Sequence, residues 1–180
     1  MSMGAGRYEL GPEAATLSVR TERAGAAAKA GHDLLIRVED WRGTLEVGED
    51  GSPQAVELTA EPASLRVIEG TGGMQSLGDD DIANIHQTIR DEVLGTETIE
   101  FRSSKVDGPT VEGELKLKGA DAPVSFDVEL GDDGSVTASA VVTQTEWGIK
   151  PYSALFGALK VKDEVVVSIE GTLPEPRAAA

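Results

Sequence analysis

Three consecutive stretches between Thr96 and Leu130 alternate apolar and polar side chains with a strict period of two, and this constrains the chain more than any other feature. Ile99, Phe101 and Ser103 alternate with Glu100, Arg102 and Ser104. Beyond Asp107-Gly108, Val111, Gly113, Leu115 and Leu117 alternate with Glu112, Glu114, Lys116 and Lys118. After Gly119–Pro123, Val124, Phe126, Val128 and Leu130 alternate with Ser125, Asp127 and Glu129. Successive side chains of a strand point to opposite faces, so three such runs predict an antiparallel meander with one dry face and one charged, wet face. A slip of one residue would bury the Glu and Lys side chains, which fixes the register. The dry face needs cover: another sheet, the same sheet curling on itself, or a ligand.

The flanking sequence extends this pattern. Arg7–Leu10 and Ala15–Glu22 read as a first strand or a hairpin, with Leu17 and Val19 on one face, and Ala24–Gly31 as a loop with room for a short helix. His32–Asp40, Trp41–Val47, Gln54–Ala60 and Ala63–Ile68 read as strands. Gly70–Gly78 breaks the sheet. Then Ile82, Ile85, Ile89 and Val93 recur at spacings of three and four, which predicts an amphipathic helix. Asp79–Asp81 stand where acidic N-caps belong, and Gly95 where a C-cap belongs. Ser135–Thr145 is a strand, Trp147–Phe156 is irregular, and Ala158–Leu173 holds a final strand. Asp50-Gly51, Asp107-Gly108 and Asp133-Gly134 sit at hairpin positions. Strands adjacent in sequence, without a β-α-β rhythm, predict an all-β fold. The expected form is an antiparallel barrel of about eight strands with one inserted helix, over residues 7–173, between disordered tails at 1–6 and 174–180.

At 180 residues the chain suits one domain with a real core. It has no cysteine, which excludes disulfides, thiol catalysis and Cys-ligated zinc. A net charge of −16 repels nucleic-acid phosphates and anionic lipid surfaces, so nucleic acid is not an expected partner. No stretch reaches the length of a membrane span, and Met1–Leu10 lacks a basic segment followed by an apolar run; the expected location is the cytoplasm, without membrane insertion.

Chemistry-bearing motifs are sparse. The two histidines, His32 and His86, lack the spacing of a metal site, and neither a metal nor a cofactor is expected. Asp79-Asp80-Asp81 lacks the alternation and closing Glu of a calcium loop. Gly73–Gly78 has the wrong serine spacing for a nucleophile elbow. The enzyme reading would rest on His32, Asp33 and His86, and it is the weakest. The interior is Ile, Val and Leu with few aromatics. A barrel of about eight strands is either filled by such side chains or holds one long apolar ligand.

Four segments, in order, resemble the YceI-like family of lipocalin-like, polyisoprenoid-binding proteins. They are Gly31-His32-Asp33 followed by Trp41-Arg42-Gly43; the helix and strand from Ile85 to Val106; Glu112–Gly119, with its Gly-x-Leu-x-Leu pattern; and Glu146-Trp147-Gly148-Ile149 ahead of the last strand. The resemblance covers about Tyr8–Leu173. Two departures fall at polar positions: Glu97-Thr98 stands where Tyr-Pro is usual, and Leu34 where a histidine often follows His-Asp. The resemblance implies an elongated barrel whose apolar tunnel holds an isoprenoid lipid, such as a polyprenyl phosphate or a quinone tail, or another long apolar small molecule.

On that reading Ile36, Leu45, Val56, Leu58, Ile99, Phe101, Leu115, Leu117, Val124, Phe126 and Val128 line the tunnel. Ile85 and Ile89 cover it from the helix, and Trp147, Tyr152 and Phe156 stand near a mouth. The competing reading is a packed-core barrel acting as a structural or interaction module, for example a homodimer through an edge strand.

Overall fold

The computed structural model describes residues 4–73, 75–154 and 157–176. Of the two expected tails, residues 1–3 and 177–180 lie outside the described residues, and β1 already begins at Gly6. The fold is all-β and antiparallel, with one helix. Its strands are β1 (Gly6–Leu10), β2 (Ala15–Thr21), β3 (Arg23–Ala24), β4 (Asp33–Val38), β5 (Trp41–Val47), β6 (Pro53–Ala60) and β7 (Leu65–Thr71). Helix α1 (Asp79–Thr88) and a single π turn (Ile89–Val93) lead into β8 (Ile99–Asp107), β9 (Thr110–Leu117), β10 (Ala120–Leu130) and β11 (Ser135–Thr143). Short β12 (Ser153–Ala154) and β13 (Leu159–Val161) precede β14 (Glu164–Thr172).

The main sheet has eleven segments in the order β1-β5-β6-β8-β9-β10-β11-β14-β2-β4-β7, and it curls strongly. Of the two readings of Arg7–Glu22, a first strand or a hairpin, the hairpin does not form and the two segments follow one bent strand. β1 pairs with β5 (Tyr8 opposite Leu45), whereas β2 pairs with β14 and β4 (Leu17 opposite Ile169 and Val38). The reason lies in the connections. Leu10 stands opposite Gly43 and Leu17 opposite Val38, so β1 and β2 are two halves of one bent strand running beside β4 and β5. Likewise Trp41 stands opposite Ala60 and Val38 opposite Leu65, so β6 and β7 are halves of another. Backbone bonds from Glu39 N–H to Ser64 O and from Glu61 N–H to Asp40 O hold two of these bends side by side. Counted once each, the three bent strands reduce the eleven segments to eight. Their two halves pair with opposite ends of the sheet, and so the sheet wraps around an interior.

The meander read from the sequence forms in register. Leu115 faces Phe101 and Ala122, and Val111 faces Val106 and Phe126. Gly113 is needed for close approach: a Cβ there would lie 2.3 Å from Arg102 O and 2.7 Å from the Phe101 ring. That ring stacks tilted against Phe126, with centroids 5.3 Å apart. The core runs from Tyr8 and Trp41 through Val111 and Val128 to Val136, Trp147 and Ile149.

The helix forms where the period changes, with one adjustment at each end. Gly78, not an aspartate, is the N-cap residue. Asp79–Asp81 form the first turn, and the Asp81 carboxylate accepts the Gly78 N–H at 3.0 Å. After Thr88 the helix widens into the π turn, and Gly95 follows with φ +70°. Among the described residues no helix is long and apolar enough to cross a membrane.

Candidate binding tunnel

The curled sheet surrounds a partly open cavity of about 410 Å³. This lies in the range of small-molecule sites. One wall comes from β5, β6, β8, β9 and β10, and carries Leu45, Val56, Leu58, Ile99, Phe101, Leu115, Leu117, Val124, Phe126 and Val128. The opposite wall comes from β2, β4, β11 and β14, with Leu17, Val19, Ile36, Val38, Val136, Val142, Val165 and Ile169. Helix α1 and the π turn contribute Asn84, Ile85, Thr88, Ile89 and Val93.

Most of the residues expected to line a tunnel therefore face one space; Trp147 does not. Its ring is buried and donates its indole N–H to Leu115 O at 2.6 Å, which ties the turn Gln144–Trp147 to β9. An indole in a strand-to-strand turn satisfies its N–H in the wall more readily than at an apolar surface. Gly148, with φ +71°, then reverses the chain, and Ile149 enters the cavity in place of the tryptophan. Tyr152 borders the cavity and is exposed, as a mouth residue would be. Phe156 lies outside the described residues.

Sequence reading missed much of the second wall. Val165, Val167 and Ile169 read as the alternating residues of the last strand but carry no signal that assigns them to the cavity, and β11 presents small Ala138 and Ala140 between Val136 and Val142. The polar Asn84 and Thr88 on the helix also carried no signal.

The electrostatics of the tunnel are simple. No Lys, Arg or His lines it among the described residues. Its polar groups are neutral: Thr21, Thr44, Asn84, Thr88, Gln144 and Tyr152 among them. Glu57 is at the wall, but its carboxylate turns outward to Arg102 (3.4 Å), with both side chains exposed. Gln144 is buried and spends its N–H on Lys162 O at 3.1 Å.

The residues of the enzyme reading are tied to different segments. His32 holds Gln75 O, the Asp33 carboxylate accepts the Arg23 N–H, and His86 holds Val67. The small sheet β12-β13-β3 brings Tyr152 and Val161 to one end of the cavity. There Arg23 binds Gly31 O and Thr71 O, which fastens the flanking loops together.

The family model described as YceI-like domain matches residues 8–173 of the chain. No curated protein matches it significantly.

Proposed function

The chain belongs to the YceI-like family, and from that premise we propose that it is a carrier or reservoir for an uncharged isoprenoid lipid held lengthwise in the tunnel. The observation that carries this reading is the wall itself: a space of about 410 Å³ inside the curled sheet, lined mainly by aliphatic and Phe side chains, with no cation among the described residues. Each CH₂-equivalent buried there contributes about 0.8 kcal/mol, so a long tail binds tightly without polar contacts. A phosphate drawn inside would be a buried charge with no partner, which is costly. Of the two expected ligand chemistries, the quinone-like or alcohol-ended tail suits this tunnel better than a polyprenyl phosphate. Neutral Thr, Asn and Gln groups suffice for a carbonyl or hydroxyl. The cytoplasm, where a soluble carrier would work, remains part of the same proposal.

Mass spectrometry of the purified protein, native and then after organic extraction, tests it. A neutral apolar species of defined mass, bound near one per chain, is the expected result. Protein that stays empty, and that does not take up added geranylgeraniol, would remove the carrier reading in favour of the interaction module.

A further inference from the structure

The bent strand β6–β7 leaves β8 at Ala60, and from there the far edge of β7 has no strand partner. Helix α1 stands at that edge. Its inward residues, Asn84, Ile85 and Thr88, face the tunnel, and none of its side chains is fully buried. The helix thus does the work of a missing strand with little packing of its own. It is bounded by Gly78 on one side and by the π turn and Gly95 on the other. Single π turns are rare and occur frequently at functional sites.

A specific hydrogen bond ties this helix to the sheet. Val67 N–H, on the free edge of β7, donates to His86 Nε2 at 3.0 Å. The register of β4 on β7 shifts at this place, with Leu35 opposite Glu69 but Ile36 opposite Val67. A backbone N–H is only a donor, so the ring nitrogen that receives it must carry a lone pair. The other histidine differs. His32 Nε2 meets a carbonyl, Gln75 O, at 2.7 Å, so it donates whether the ring is neutral or charged.

We propose that helix α1 is a lid on the tunnel, latched by the bond from Val67 to His86, and that protonation of His86 releases the latch and opens the tunnel for loading or unloading. The proposal concerns regulation of the carrier site and rests on that reading. Protonation places an N–H against an N–H, so the latch becomes a repulsive contact. The surroundings favour the neutral ring: burial, and then the Arg66 guanidinium on β7, lower the His86 pKa, against a smaller opposing pull from Glu39 in the β4–β5 turn. The closed lid therefore binds a proton less well than the open one. The contribution of His86 to closure is fully present above the ordinary imidazole value of 6.5 and is lost as the pH falls below it. The closed-to-open ratio drops at most about tenfold per pH unit in that window.

The chain has no cysteine, so Gln87→Cys on the lid and Glu46→Cys on β5 accept a pair of spin labels without interference. Distances between them, read by electron–electron double resonance at pH 8 and pH 5, should show a second, longer population at pH 5. His86→Gln keeps an acceptor but does not titrate, and should hold the short distance at both values. His86→Lys should show the long distance at both, and His32→Gln should leave the pH response intact. Should His86→Lys fail to fold, His86→Gln decides alone. An unchanged distance from pH 8 to pH 5, or a pH response that persists in His86→Gln, would overturn the lid. Release of geranylgeraniol, followed in parallel, separates the two readings. Labels that move in a protein binding none of it support the lid and remove the carrier. Binding with a release rate independent of pH and labels that stay still does the reverse.

Discussion

Trp147 donates its indole N–H to Leu115 O across 2.6 Å, so the turn Gln144–Trp147 is fastened to the middle of the meander. Leu115 itself faces the tunnel, while the Trp147 ring is buried behind it. The two residues thus share one bond and have opposite duties. Trp147→Phe keeps an aromatic ring of smaller size and removes the donor; Leu115 O keeps its place in the ladder opposite Ala122, so the lost bond costs about 0.5–1.5 kcal/mol. Denaturant titration should show that loss. The amount of lipid bound per folded chain should stay the same, because no atom of the tunnel wall has changed.

Leu117→Trp and Phe126→Trp act in the opposite sense. Both side chains line the cavity, from neighbouring strands. An added indole fills space that a lipid tail would occupy, at little cost in stability because the room is already there. Each variant should lose at least about tenfold in affinity for a neutral isoprenoid, or about 1.4 kcal/mol. Retention of bound lipid at full occupancy in both variants would place the ligand elsewhere.

Much of this arrangement was legible in the sequence, and the exceptions have physical causes. Period-two alternation gave β8, β9 and β10 because each buries one face only. Asp50-Gly51-Ser52 and Asp133-Gly134-Ser135 read as turns, and both form the same way: the aspartate accepts the serine N–H at 3.0 Å and the glycine takes a positive φ. What could not be read was continuity through a bend. Gly11–Ala14 looks like a hairpin turn, yet it only redirects a strand, because the deciding partners, Gly43 and Val38, are distant in sequence. The π turn was hidden as well, since Ile89 and Val93 fit a regular helix equally well.

Gly113 tests the packing of the meander. Its missing Cβ makes room for the Phe101 ring and for the β8 backbone at Arg102. Backbone atoms cannot yield as a flexible side chain can. Gly113→Ala should therefore destabilise the fold by about 1–3 kcal/mol through overpacking. Gly95→Ala would meet no neighbouring atom, and its cost should come only from the left-handed backbone. Thermal melts of the two variants should separate these effects: adding space around the Phe101 ring with Phe126→Leu should relieve part of the first and none of the second.

The pH dependence of global stability gives a last check on His86, separate from any motion of the helix. Its pKa in the folded chain is lowered, chiefly by burial, from the 6.5 of a free imidazole. The unfolded chain then binds more protons than the native one between these values, so the contribution of this residue is fully present above pH 6.5 and is lost as the pH falls toward the folded value. Urea titrations of wild type and His86→Gln at pH 8, 7, 6 and 5 should run parallel in the upper half of this range. Below pH 6.5 the wild type should lose stability relative to the variant. A wild type that instead gains stability relative to the variant on acidification would mean that the charged ring is the one the fold prefers, and that the bond from Val67 is not what holds His86 in place.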